Sequence, residues 1–270
     1  MSFLSRLNWI FSEQFGISPR KFLHAIAQIP WYLGSFAKFR QKSQYSMEIM
    51  PCLHDRYDQS GNVNNEYFWQ DLFVAQKIYD CSPDLHLDVG SRVDGFVAHI
   101  ASFRVVEVLD IRPSFNEIPN VIPKRIDLMA DNPGMLEYCD SISCLHALEH
   151  FGLGRYGDSL DPEGWKKGLS NISNILRSGG TMYLSVPVGR PRVVFNAHRV
   201  FDIDDLRGEM LRLSLDIRYL YFVEPGKPGV KGGNPDSVRK LIRSVDYVLA
   251  IFILRKSTLT QSSSDGERSL

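Results

Sequence analysis

The chain has 270 residues, with 31 Lys and Arg against 31 Asp and Glu, so its formal net charge is zero. Hydrophobic residues at 44% and charged residues at 23% are ordinary globular values, which exclude a disordered, collagen-like or coiled-coil chain. A neutral balance also argues against nucleic acid as a partner, because coating it needs a strongly basic face. Cys52, Cys81, Cys139 and Cys144 show no Cys-x-x-Cys spacing. That usage points to a reduced, cytoplasmic protein and away from a disulfide framework or a zinc knuckle.

The charge is unevenly spread. Within residues 1–45, Arg6, Arg20, Lys21, Lys38, Arg40 and Lys42 stand against Glu13 alone. The same stretch is crowded with aromatic residues, among them Trp9, Phe11, Phe15, Phe22, Trp31 and Phe39. It lacks the layout of a secretory signal. The uncharged run 22–37 contains His24, Gln28 and Pro30 and falls short of the ~20 apolar residues that span a bilayer. Two short helices are expected, Pro19–Gln28 and Pro30–Gln41, each opened by a proline. Such an extension packs on its own domain or on a second subunit, or lies at a membrane surface.

Further on, Tyr67, Phe68, Leu72, Phe73, Ala75, Ile78 and Tyr79 predict an amphipathic helix within 64–80. Strands are expected at Leu85–Val89, Val105–Leu109, Lys124–Leu128, Ser141–Leu145 and Thr181–Val188. Helices are expected at Val93–Ser102 and at Pro162–Arg177, the latter stopping at Gly179-Gly180. Then come a helix Ile203–Leu211, a strand Leu215–Val223, a Gly- and Pro-rich loop Glu224–Asp236 and a strand Tyr247–Arg255. Alternating strands and helices imply a doubly wound, mainly parallel α/β sheet. The expected organisation is an extension (1–45), an α/β domain (46–256) and a Ser-rich disordered tail (257–270).

The first strand runs through Asp88 into a glycine turn, Gly90-Ser91-Arg92 with Gly95 beyond, and the second ends in Asp110-Ile111. Ligands bind beyond the carboxyl ends of such strands. An acid 20 residues after the turn glycine suits the hydroxyls of a ribose. Arg92 occupies the second glycine position of Gly-x-Gly-x-x-Gly, which weakens a dinucleotide reading and favours an adenosyl ligand without pyrophosphate. A turn that merely tightens a strand–helix corner is the plainer alternative. Asp127-Leu128 follows the third strand, where a carboxylate suits an adenine amino group. The fourth leads into His146-Ala-Leu-Glu149-His150, and Asn174–Gly180 precedes the fifth.

This order resembles the class I S-adenosylmethionine-dependent methyltransferases: a glycine turn, an acid, Leu-Glu-His after strand four and a Gly-Gly turn before strand five. Within that superfamily the blocks His146–Gly157, Asp161–Gly168 and Phe195–Phe201 resemble a branch first labelled as nematode proteins of unknown function and also met among bacterial surface-polysaccharide genes. The likeness spans roughly residues 46–255. It departs from the general pattern at Ser91-Arg92 and at Arg177-Ser178. The resemblance implies S-adenosylmethionine as cofactor, a final antiparallel strand, and O-methylation of a sugar or glycan precursor in the cytoplasm. Peripheral attachment to the inner face of the membrane or self-association would run through residues 1–45. A non-catalytic adenosyl-fold scaffold of a glycan-assembly complex is the rival reading.

The cofactor set on this reading is Asp88, Gly90, Ser91, Gly95, Asp110, Ile111, Asp127, Leu128 and His146. Transfer to a hydroxyl benefits from a positioned base, and the candidates are His150, His198 and Asp158. A structural histidine capping a loop fits His150 as well, and a turn-stabilising role fits His198. Arg155, Arg190 and Arg199 suit an acidic acceptor or serve as surface charges. His146–His150 also spells His-x-x-Glu-His, a zinc-protease motif. Phe151-Gly-Leu-Gly154 cannot sustain the helix that zinc site requires, so no metal is expected.

Overall fold

The computed structural model describes residues 7, 9–57, 63, 65–112, 117–130 and 133–257. The expected tail lies outside them apart from Ser257. The chain forms two compact units, 1–62 and 63–270, a division later than the 45/46 boundary drawn from charge.

In the first unit the two expected helices are one, α1 (Pro19–Arg40), 22 residues long with Pro30 inside it. Ser18 caps it, its hydroxyl accepting from the Lys21 N–H, and Pro19 sits in its first turn. An interior proline removes one backbone bond at a cost of about 3 kcal/mol. Helix formers on both sides, including Ala25, Ala27, Leu33 and Ala37, carry the helix through. His24 of α1 stacks on His54 at 5.9 Å, and the Arg56 guanidinium lies 4.1 Å above the Trp31 ring.

The second unit opens with α2 (Glu66–Cys81), capped by Asn65. Then follow β1 (His86–Val89), a helical turn Val93–Val97 running into α3 (Ala98–Ala101), β2 (Val106–Asp110), β3 (Val121–Arg125) and β4 (Cys139–Leu145). The remaining elements are α4 (Gly164–Ile175), β5 (Leu176–Gly189), β6 (Arg192–Val194), β7 (His198–Val200), α5 (Ile203–Arg212), β8 (Leu215–Val223), β9 (Lys231–Gly233), α6 (Pro235–Ile242) and β10 (Tyr247–Lys256). The main sheet has the order β3-β2-β1-β4-β5-β10-β8-β9. The pairings from β3 across to β5 are parallel, and β10 lies antiparallel between β5 and β8. This is the expected doubly wound sheet with antiparallel strands at one side.

Burial is nearly continuous along the central strands because helices cover both faces, so successive side chains enter two different cores. Met182, Leu184, Val186 and Val188 of β5 join one core cluster with Leu169 and Ile172 of α4 and Leu206 and Met210 of α5. Tyr183 points into the other, with Val74, Ala75 and Ile78 of α2 and Phe96 beside α3. In β10, Ala250 and Phe252 face the first cluster, Leu249 and Ile251 the second.

Four expectations need correction. The third strand is Val121–Arg125, not Lys124–Leu128, and carries Pro123, which an edge strand tolerates. Helix α4 ends at Ile175 and not at the Gly-Gly pair; Leu176 already pairs with Cys139, and residues 177–180 bulge out before Thr181 meets Ser141. Arg177 ties the bulge to the carbonyls of Glu137 and Tyr138, each at 3.1 Å. The loop Glu224–Asp236 hides β9 and the start of α6, whose cap Asn234 accepts from the Ser237 N–H at 3.0 Å. The β6–β7 hairpin was not expected at all.

Candidate active site

The site grows from the carboxyl ends of β1, β2 and β4. At Gly90 the chain turns with φ +68°, a conformation that favours glycine, and its N–H donates to Leu109 O at 3.0 Å. Asp88 lies wholly buried beneath this turn. Its carboxylate accepts from the Ser91 N–H (3.0 Å), the Ser91 hydroxyl (2.8 Å) and the Ser143 hydroxyl (2.6 Å). Burial raises its pKa to about 6, against the pull of those donors. Asp110 at the tip of β2 accepts from the Arg112 N–H at 2.6 Å, and Asp127 accepts from the Met129 N–H at 2.9 Å.

After β4, His146 adopts φ +54°. Its Nδ1 donates to Glu149 Oε1 at 2.5 Å, its Nε2 lies 3.4 Å from Glu66 Oε1, and its ring stacks on Tyr67 at 4.5 Å. Burial disfavours the imidazolium, but Glu149 and then Glu66 outweigh it and raise the pKa to about 9. The same ion pair holds the fully buried Glu149 below its ordinary range despite its desolvation. Tyr67 is pushed up to about 12 by burial and then by Glu149. Tyr247 donates its hydroxyl to Glu66 at 2.8 Å, which closes the cluster.

His150 differs from His146. Its Nδ1 donates to Ala197 O at 2.6 Å, and burial, opposed by Glu149, lowers its pKa. It is therefore neutral at pH 7, with Nε2 as the acceptor nitrogen. The two histidines of the His-x-x-Glu-His string hold different partners, and only residues 148–150 between them are helical. Among the described residues no three His, Cys, Asp or Glu side chains gather to hold a metal ion.

A cleft of about 340 Å³ opens over these strand ends. Gly90, Ser91, Asp110, Ile111, Asp127, Leu128, His146, His150 and Asp158 line it, and Val89, Leu109, Ile126 and Met129 supply apolar wall. Three other expected site residues are not in its lining. Asp88 braces the turn from below. A Cβ at Gly95 would lie 3.2 Å from Asp71 Oδ2, so that glycine serves close packing on α2. His198 is half-buried opposite Val194 in the β6–β7 hairpin.

Asp158 touches the cleft, but its carboxylate is committed to backbone, accepting from Gly152 N (2.8 Å), Gly154 N (3.2 Å) and Tyr156 N (3.2 Å). It shapes the loop after β4. Arg199 does the same from within: buried, it donates to the carbonyls of Glu149 (3.3 Å), Phe151 (2.5 Å), Asp161 and Pro162 (both 3.4 Å). Arg190 pairs with Asp246 at 3.0 Å. Arg155 donates to Ala197 O at 2.9 Å.

Sequence reasoning missed Arg112 and Glu66, and it gave Tyr156 and Glu149, though visible after the fourth strand, no cofactor-binding or catalytic role. Tyr156 lines the cleft with Arg112, whose guanidinium sits 3.9 Å above its ring, and Arg155 lies 5.1 Å from the same ring. The adjacency of Arg155 and Tyr156 was visible in the chain; the partnership with Arg112 was not.

A doubly wound sheet with one antiparallel strand between β5 and β8, and a cleft over the ends of β1, β2 and β4, defines a Rossmann-like α/β fold. The model of a family described as a Caenorhabditis protein of unknown function, DUF268, matches residues 95–220. No curated protein matches the chain. Among solved structures the chain is similar to the Burkholderia thailandensis 1,6-didemethyltoxoflavin-N1-methyltransferase with bound 1,6-didemethyltoxoflavin and S-adenosylhomocysteine. That pair is 13% identical over 90% of this chain and 92% of that one, with a TM-score of 0.48. It is also similar to geranyl diphosphate methyltransferase in complex with S-adenosylmethionine (10% identity, 68% and 84% covered, TM-score 0.46). The [4+2]-cyclase SpnF is similar to the same degree (14%, 70% and 81%, 0.47). These are likenesses of chain path and assign no reaction.

Proposed function

We propose that the protein transfers a methyl group from S-adenosylmethionine to a hydroxyl oxygen of a sugar or glycan precursor, in the cytoplasm, during surface-polysaccharide synthesis. The observation that carries the cofactor is the cleft itself. Gly90 brings bare backbone to its lining, Asp110 offers a carboxylate acceptor suited to a ribose, and Asp127 borders an apolar wall suited to a purine. Nothing there offers the open glycine cradle that a pyrophosphate requires, since Arg92 takes its place.

When bound, S-adenosylmethionine supplies an electrophilic methyl group and leaves as S-adenosylhomocysteine. His150 is the base: with Nδ1–H engaged by Ala197 O, its Nε2 takes the hydroxyl proton as the oxygen accepts the methyl group. The resulting imidazolium is steadied by Glu149, whose Oε1 is 3.9 Å from Nε2. The remaining acceleration comes from alignment of the two reactants in the cleft. The sugar acceptor rests on the resemblance of His146–Gly157, Asp161–Gly168 and Phe195–Phe201 to proteins met among polysaccharide genes.

Isothermal titration with S-adenosylmethionine and S-adenosylhomocysteine tests the reading. Saturable binding of both, and a melting temperature that rises with either in proportion to RT ln(1 + [L]/Kd), is expected. Preferential binding of a nicotinamide dinucleotide would overturn it. Saturable binding with no methyl transfer to any sugar nucleotide or lipid-linked sugar would favour the scaffold reading.

A further inference from the structure

We infer that α1 lies in the plane of an anionic lipid bilayer, with its apolar stripe in the acyl boundary and its basic ends at the headgroups. The inference is independent of the reaction proposed above. Phe22, Ile26, Ile29 and Leu33 follow the spacing i, i+4, i+7, i+11, which places them in one line along a helix. All four are exposed, Phe22 at 65% and Leu33 at 59%. The stripe exists as a line only because α1 continues through Pro30; two separate helices would not align it.

The ring contacts that the helix makes with the chain after it lie elsewhere. His24 and Trp31, both about half a turn from the stripe, are the residues that meet His54 and Arg56. Hence the ring contacts that His54 and Arg56 make with the helix fall away from the apolar stripe. Trp9, Phe11, Phe15 and Ile17 ahead of the helix are exposed as well. Contiguous exposed apolar surface of this kind marks an interaction site.

Charge decides the occupant. No acidic residue lies between Glu13 and Glu48, while Lys21 sits near one end of α1 and Lys38, Arg40 and Lys42 at the other. A second copy laid along the stripe, parallel or antiparallel, would bring basic ends against basic ends with no carboxylate to separate them. Anionic headgroups neutralise both ends at once, each basic residue adding about fivefold to membrane affinity. Crossing the bilayer is ruled out by composition: among the described residues no helix is long and apolar enough. A helix of this length lying flat, about 33 Å at 1.5 Å per residue, instead presents its whole stripe to the boundary.

The test is flotation of the full-length protein with phosphatidylcholine vesicles, with and without phosphatidylglycerol. Binding is expected on the mixed vesicles, weak binding on phosphatidylcholine alone, and release as salt is raised. The double variant I26D/L33D should lose about tenfold or more in apparent affinity. K38E/R40E, altered at exposed positions only, should lose a similar factor on mixed vesicles and nothing on neutral ones. Both variants should keep the wild-type melting temperature and affinity for S-adenosylhomocysteine. Absence of flotation, equal flotation on both lipid mixtures, or a wild-type dimer that becomes a monomer in I26D/L33D would overturn the inference, the last in favour of self-association.

Discussion

Asp88 gives the sharpest test of the architecture beneath the cleft. The side chain is wholly buried and holds the Ser91 N–H, the Ser91 hydroxyl and the Ser143 hydroxyl. Burial raises its pKa to about 6, whereas an unfolded chain leaves aspartate near ~3.9. Between those values the folded protein keeps a proton that the unfolded chain has released. Stability from this group is therefore complete below about pH 4 and lost as pH rises through about 6. About two pH units at about 1.4 kcal/mol each make a loss of about 3 kcal/mol. Asp88→Asn removes the titration and keeps the contacts, because one amide oxygen accepts from the Ser91 N–H while the NH₂ donates to a serine hydroxyl. Asp88→Ala also removes the titration but strands the Ser91 N–H, at about 1–3 kcal/mol.

His86, buried beside Asp88 on β1, has its pKa lowered to about 3 by desolvation and gives the opposite slope, since the unfolded chain binds its proton first. Differences between variant and wild type cancel that term. Urea unfolding from pH 4 to 7.5 should show the Asn variant gaining on wild type by about 3 kcal/mol across the range. The Ala variant should run parallel to it, about 1–3 kcal/mol lower. A difference that does not change with pH would refute the burial argument. Identical Asn and Ala curves would refute the role assigned to the Ser91 N–H.

Asp110→Ala should leave the melting temperature unchanged and weaken S-adenosylhomocysteine by about 1.5–3 kcal/mol in titration calorimetry, as buried ribose hydroxyls lose a charged acceptor. Arg199→Ala should cost about 3 kcal/mol in urea unfolding, because four carbonyls lose their donor, and Arg199→Lys should recover only part of it. Gly152→Ala is expected to unfold the loop after β4 or the whole domain, since its Cβ would lie 1.9 Å from Asp161 O at φ +76°; a wild-type melting curve would contradict the loop geometry. Elemental analysis of the purified chain should show no stoichiometric zinc, and one zinc per chain lost in His150→Ala would restore the rejected motif.

Much of the sheet was readable in the chain because burial on two faces writes itself as short apolar runs. Leu215–Val223 matches its strand end for end, and β1, β2, β4 and β10 differ from expectation by one or two residues at a boundary. The glycine turn and the acid after β2 were readable for the same reason, being pinned to strand ends. Composition alone, however, read Pro30 as a boundary and the Gly- and Pro-rich text before Asp236 as loop, although a cap at Asn234 was present in it. The short strands β6 and β7 carry too few residues to show any period.

What folding alone decided is the company each polar side chain keeps. Glu66 on α2 meets His146 only because the helix packs beside the end of β4, and it adds to the larger pull of Glu149 in making one histidine of a His-x-x-Glu-His string a cation. The other stays neutral against Ala197 O, a carbonyl 47 residues away in a hairpin the sequence did not announce. Asp158, Asp88 and Arg199 likewise looked like chemistry in the chain and proved to hold backbone or a turn. The physical reason is one of range: periodic burial is a property of neighbours in sequence, whereas a charge state or a hydrogen-bond partner depends also on groups that only tertiary packing brings into contact.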